Sequence, residues 1–246
     1  MLKHPTLIKL EELRLDGMAR ALHEQMEMPE TFSGLTFDER LGLLVDREDL
    51  ERTNRRLHLR LRRAKMRYPD ACVEDLDWGP GRKLDRRQVA ALIGGGWIAQ
   101  HRNVLITGET GTGKTYLACA LANKACRDGY TALYARCSTL LRDLDLGRAD
   151  GSYDKKLRHI ARFDVLILDD WGLLPFAATH RRHLYEILED RYGLKSTIVS
   201  SQYPPAKWHE LLGEPTLADA IVDRLIHSGH HLALAGDSLR DPEKQL

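Results

Sequence analysis

The chain has 246 residues, 37 Lys+Arg against 36 Asp+Glu and a formal net charge of +1, so it can bury a sizeable core as one large domain or as a medium domain with a small appendage. That balance excludes a globally basic nucleic-acid coat and leaves room only for a local patch. Cys72, Cys119, Cys126 and Cys137 show no C-x-x-C spacing, which argues against a zinc site and reads as reduced thiols of a cytoplasmic protein. Charges interrupt the first apolar positions, so no signal peptide is expected, and no run approaches the ~18 apolar residues of a membrane span, so no membrane partner is expected.

From Thr6 to Met28 apolar residues recur at helical spacing, and Pro29 ends the predicted helix. Thr36-Phe37-Asp38-Glu39 has the form of a capping box and opens a second helical region. Between Arg52 and Arg67 this region becomes strongly basic. Glu48 with Arg52 and Glu51 with Arg55 are spaced for i,i+4 pairs. Arg60, Arg62, Arg63 and Arg67 have no such partners and are candidate DNA-phosphate contacts, with a solvated helix face as the alternative. Tyr68-Pro69 stops the helix, and residues 69–82, with Gly79-Pro80-Gly81, read as a linker. The expected organisation is a small helical region over residues 1–80 and an α/β domain over 83–246.

After a short helical pattern at 84–93, whose Ala91, Leu92 and Ile93 are either core or base contacts, Val104 to Thr107 reads as a buried strand. Gly108 to Thr115 then spells G-x-x-x-x-G-K-T, and a helix follows to Arg127. Strand, loop and helix in that order make a phosphate-binding loop. Its glycines let successive N–H groups approach an anion, and the helix N-terminus points at the same charge. Gly108, Glu109, Thr110, Gly111, Thr112, Gly113, Lys114, Thr115 and Tyr116 are the expected nucleotide contacts. Lys114 supplies charge to the β- and γ-phosphates and Thr115 a hydroxyl to Mg²⁺.

Further strands are predicted at 131–135, 165–168, 197–201 and 231–234. Helices are predicted at 138–146, from the polar break 147–152 to 162, at 179–192 and at 216–226. This alternation implies a parallel five-stranded sheet covered on both faces. The third strand delivers Asp169-Asp170 at its end, which suits Asp169 for the metal, through a water, and Asp170 for activating the attacking water. D-x-x-G at Asp169–Gly172 raises a GTPase, but no N-K-x-D motif follows, so ATP is the expected nucleotide. His180-Arg181-Arg182-His183 reads either as a DNA contact or as a solvated helix start, and Trp171 and Trp208 as packing residues.

G-E-T-G-T-G-K-T, L-I-L-D-D-W-G, T-I-V-S-S-Q-Y-P and L-A-D-A-I-V-D-R-L together resemble the AAA+ ATPases of the IstB type, helpers of insertion-sequence transposition related to DnaC-type helicase loaders. The resemblance covers nearly the whole chain. It implies an AAA+ P-loop domain, Mg²⁺ and ATP as cofactors, and catalytic roles for Lys114, Asp170, Gln202 as first sensor and Arg224 as an arginine finger acting on a neighbouring subunit. It also implies a homo-oligomer that grips and deforms duplex DNA and recruits or stimulates a transposase. A replicative helicase as client, or a DNA-binding filament with ATP as assembly glue, are the alternatives. Only about a dozen residues follow the fifth strand, so the usual C-terminal helical lid is expected to be absent, and Arg240 is the candidate for its sensor arginine.

Overall fold

The computed structural model describes residues 4–227 and 229–239. Its chain forms two compact units, Met1–Leu59 and Arg60–Leu246, and residues 69–82 fall in the second.

The first unit is helical: α1 (Pro5–Glu12), α2 (Asp16–Glu27), α3 (Pro29–Phe32) and most of α4 (Phe37–Ala64). The helix expected over Thr6 to Met28 is interrupted, because Arg14 takes a left-handed conformation with φ 58° and the chain restarts at Asp16. A distant carboxylate makes that restart possible. Glu48 of α4 accepts the N–H groups of Gly17 (2.8 Å) and Met18 (3.2 Å), two of the donors that the first turn of α2 leaves without intrahelical partners. Burial raises the pKa of this carboxyl, but Arg52 (2.6 Å) and the two N–H groups outweigh it and hold it below the ordinary value. Thr36 and Glu39 close the expected capping box, the Thr36 N–H donating to Glu39 (2.8 Å) and the Glu39 N–H to the Thr36 hydroxyl (3.3 Å). The i,i+4 pair Glu48–Arg52 forms. Glu51–Arg55 does not, since Arg55 reaches Asp16 (2.9 Å) and Glu51 is taken by Arg20 and Arg47.

In the second unit residues 69–82 are more than a spacer, for Ala71 and Val73 are 2% and 4% exposed and the segment carries two short 3₁₀ turns. Asp85 then caps α5 (Arg86–Ile93), and Gly95, at φ 74°, leads into α6 (Gly96–Ala99). There follow β1 (Val104–Gly108), α7 (Lys114–Arg127), β2 (Ala132–Arg136), α8 (Cys137–Asp150), α9 (Tyr153–Ala161), β3 (Val165–Trp171), α10 (Ala178–Arg191), β4 (Ser196–Ser201), α11 (Trp208–Leu212), α12 (Pro215–Ile226) and β5 (His230–Leu234). All strands pair in parallel, in the order β2-β3-β4-β1-β5. Val104, Ile106, Leu166, Ile167, Leu168, Ile198 and Val199 are essentially solvent-free, as a sheet covered on both faces requires. Trp171 packs on Phe176 and Trp208 at ring separations of 5.2 and 5.5 Å, so both tryptophans are core. Among the described residues none beyond Leu234 is helical, and Arg240 lies outside them. No described helix is long and apolar enough to cross a membrane.

Arg191 at the end of α10 is 1% exposed and ties that helix to the N-terminal ends of β3 and β4. Its guanidinium donates to the carbonyls of Ile160 (3.2 Å), Phe163 (2.9 Å) and Ser196 (2.5 Å) and to the Thr197 hydroxyl (3.2 Å). Burial pulls its pKa down to about 10. Arg191→Met keeps the stem and strips the donors, leaving several buried acceptors without partners at about 1–3 kcal/mol each. Urea unfolding is expected to show a loss of about 3 kcal/mol or more; a loss below 1 kcal/mol would refute this account.

Candidate nucleotide-binding site

In an open parallel sheet, ligands bind beyond the C-terminal ends of the strands. The G-x-x-x-x-G-K-T loop leaves β1 there. Gly108 admits no side chain, because a Cβ would run into the Leu234 carbonyl of β5, and Gly113 enters α7 at φ 92°. Lys114 is buried at 9% exposure and curls over the loop, donating to the carbonyls of Gly108 and Glu109, each at 2.7 Å. Thr112 braces the loop through the Glu109 carbonyl (2.8 Å). Tyr116, on the first turn of α7, accepts the Cys72 N–H on its hydroxyl (3.4 Å), so its ring is tied to the segment before the domain core.

Asp169 is fully buried, and three hydroxyls donate to it there. Thr115 donates at 3.0 and 3.1 Å to its two oxygens, Tyr134 of β2 at 2.8 Å and Ser200 of β4 at 2.6 Å. Burial and the neighbouring carboxylate push the Tyr134 phenol well above its usual pKa. Arg67 bonds the same phenol and feels Asp169; although burial works against it, its pKa is held above the ordinary value.

Asp170 owes its placement to a β-bulge. Leu168 pairs with Val199 and Trp171 with Ser201, so two residues of β3, Asp169 and Asp170, stand opposite Ser200 alone. The extra residue takes φ 59°, a left-handed conformation that Asp tolerates better than most side chains. In a regular strand the two carboxylates would alternate between faces; the bulge instead sets Asp170 against Arg136 at the end of β2, at 3.1 Å.

The other expected site residues are distributed as follows. Gln202 lies just past β4, exposed, and makes no hydrogen bond to either aspartate; the β4 side chain that touches Asp169 is Ser200, two residues earlier. Arg224 on α12 pairs with Glu189 and lies over the Tyr185 ring at 4.9 Å, rather than pairing with the nearby Asp219 or Asp223. The basic run divides. Arg60 is committed to the Cys126 carbonyl (2.9 Å) and Arg67 to Tyr134, whereas Arg62 and Arg63 are exposed and make no ion pair among the described residues. His183 is 0% exposed, bonded to Tyr153 (2.8 Å) and Asp145 (2.9 Å), and Arg181 serves the Phe176 and Leu212 carbonyls. That corrects both readings of the His180–His183 stretch for His183, which is buried, while Arg181 is half-buried with its guanidinium on those two carbonyls. Leu92 is core at 2% exposure, so it is no base contact. A cavity of about 430 Å³ instead adjoins the loop between residues 77–82 and 236–239, where the Leu239 N–H meets the Gly111 carbonyl (2.9 Å).

The donor set suits Mg²⁺, for a hydroxyl and a carboxylate stand together at the loop, both hard oxygens. Tyr134, Ser200 and Arg136 escaped sequence reasoning. Their one visible signal is a polar side chain inside or at the end of an apolar strand, and β3 supplies the carboxylate those groups need.

A family described as IstB-like ATP binding protein matches residues 8–246. The insertion sequence ATP-binding protein y4pL of Sinorhizobium fredii is 49% identical over 245 residues, covering 100% of this chain and 99% of that one. The ATP-binding protein of insertion sequence IS1162 from Pseudomonas fluorescens is 51% identical over 204 residues, 83% of this chain and 88% of that one. Among solved structures, DnaI aligns with a TM-score of 0.59 at 22% identity, over 68% of this chain and 92% of its own. The DnaC helicase loader aligns with a TM-score of 0.57 at 21% identity, over 68% of this chain and 98% of its own. At those identities the structural likeness speaks for the fold, an AAA+ P-loop domain.

Proposed function

The chain belongs to the family of IstB-like ATP-binding proteins, and from that premise we propose that it is a Mg²⁺-dependent ATPase that oligomerises on duplex target DNA and recruits or stimulates a transposase. The observation that supports the ATPase reading most directly is the Thr115–Asp169 pair beside Lys114 at the loop. ATP places its β- and γ-phosphates against the loop N–H groups and the start of α7, and Lys114 exchanges its two carbonyls for phosphate oxygens. The base enters the cavity between residues 77–82 and 236–239. Thr115 and Asp169 hold Mg²⁺, which when bound neutralises charge on the phosphates. Tyr134 and Ser200 fix the Asp169 carboxylate in orientation, as outer hydrogen-bond partners do at metal sites. Asp170 accepts the proton of the attacking water once Arg136 yields it, and Gln202 orients that water.

Arg224 acts in trans in this reading, reaching the γ-phosphate of a neighbouring copy. Mixing Arg224→Ala with Lys114→Ala subunits is expected to recover part of the hydrolysis that each variant lacks alone, since some interfaces regain both groups. No recovery at any ratio, in oligomers shown to mix, would remove Arg224 from the site.

The whole reading is tested by sedimenting the protein with long duplex DNA and with single strands, in ATP·Mg²⁺, in ADP and without nucleotide. ATP-dependent assembly on duplex is expected, and neutralising Arg62 and Arg63 should flatten its salt dependence by up to about two phosphate contacts. A preference for single strands, or assembly only with a helicase ring, would move the client from transposase to helicase.

A further inference from the structure

A cavity of about 1010 Å³ runs along the outer edge of β2, and no residue of the phosphate-binding loop lines it. It lies at the top of the range for small-ligand sites, about 300–1,000 Å³, so it has room for a polymer segment. Leu133, Tyr134, Ala135 and Arg136 all line it. Successive side chains of a strand alternate between faces, so a groove touched by four consecutive residues follows the strand's edge rather than one face. β2 is the terminal strand of the sheet and pairs only with β3 among the described residues. Its outer N–H and C=O groups are therefore a template for one more strand.

The walls state what that strand must carry. Leu133, Leu144 and Ile160 form an apolar floor, each at most 8% exposed. Lys65, Lys155, Arg158 and Arg162 stand exposed around it without an ion pair among the described residues, and Asp143 is the one acid in the lining. We infer that this groove docks an extended, acidic and apolar peptide segment of a partner protein, which adds to β2 as a sixth strand and sets its carboxylates against the basic rim. β-Augmentation of this kind draws affinity from main-chain hydrogen bonds and specificity from alternate side chains. A single nucleic-acid strand shares the charge but not the rest of the fit. A nucleotide strand would leave the apolar floor and the edge N–H and C=O groups of β2 without complementary partners.

The probe is a capped, fluorescein-labelled decapeptide of alternating Glu and Val, titrated with the full chain and followed by anisotropy. Binding is expected, weakening at least tenfold in the Lys155→Glu, Arg158→Glu, Arg162→Glu triple variant, whose fold is checked by unchanged thermal unfolding and unchanged binding of labelled ATP. The same peptide with alternate amides N-methylated keeps its charge and loses its donors, and is expected to bind at least tenfold more weakly to the unaltered protein. Hydrogen exchange at residues 132–136 should slow when the unmethylated peptide is present. Equal binding of the methylated peptide, equal binding of a Lys-Val counterpart, or binding of a dT20 oligonucleotide that depends on the three cations while the acidic peptide shows none, would each overturn the proposal.

Discussion

Lys114→Ala is expected to weaken ATP binding by about 10²–10⁴-fold and to abolish hydrolysis and every ATP-dependent assembly. The magnitude follows from what the ammonium does in each state. Without nucleotide it satisfies two loop carbonyls at 2.7 Å each. With nucleotide it makes charge-assisted bonds to phosphate, each worth about 1.5–3 kcal/mol, and two of these amount to about 10²–10⁴-fold in affinity. Alanine also deprives the Gly108 and Glu109 carbonyls of a donor, so the loop itself is expected to loosen. Lys114→Arg separates the two effects, since it keeps the charge and the carbonyl partners but presents a planar fork in place of a compact ammonium. Titration of a fluorescent ATP analogue, with thermal unfolding of the same variants as the control for folding, reads the outcome. Affinity within threefold of the unaltered protein in Lys114→Ala would overturn the assignment of this loop to phosphate.

The parts of this molecule that are legible in its sequence are those whose causes lie within a few residues. The loop, the helix it opens, the five strands and the Thr36–Glu39 box each depend on local spacing, and each stands within one or two residues of where the spacing puts it, except that β3 runs three residues further, to Trp171. What the sequence conceals is partner choice over distance. The restart at Asp16 depends on a carboxylate at Glu48, and the commitment of Arg55 to Asp16 rather than Glu51 depends on how α2 and α4 lie together. The site shows the same division. Asp169 is readable as a strand-end carboxylate, but its orientation by Tyr134 and Ser200 requires knowing that β2 and β4 flank β3. Arg67 looks like one cation among many until the fold brings it to the Tyr134 phenol. The bulge that separates Asp170 from Asp169 leaves no trace in the pattern V-L-I-L-D-D-W, because a strand period carries no information about the register of its neighbour.

Asp170→Asn is expected to lower kcat by about 10²–10⁴-fold, the usual contribution of a positioned proton acceptor, while leaving ATP affinity within about threefold. Asparagine is the informative substitution because of the backbone. At φ 59° an alanine would add about 1–2 kcal/mol of left-handed strain, whereas Asn tolerates that region as Asp does, so a loss of rate in Asp170→Asn is chemical rather than conformational. Loss of the ion pair with Arg136 changes little, since both side chains are partly exposed, at 46% and 27%, and such pairs contribute about 0–1 kcal/mol. Asp169→Asn would fail differently. Its amide would meet three hydroxyls that now all donate to a carboxylate, so metal-dependent ATP affinity should fall along with rate. The Asp170 variant thereby divides binding from turnover, which no change at Lys114 or Asp169 can do. If its protein assembles on duplex DNA in ATP yet no longer supports transposition, turnover is part of the work. If transposition persists with hydrolysis gone, ATP acts as assembly glue and the water-activating role of Asp170 is incidental to function.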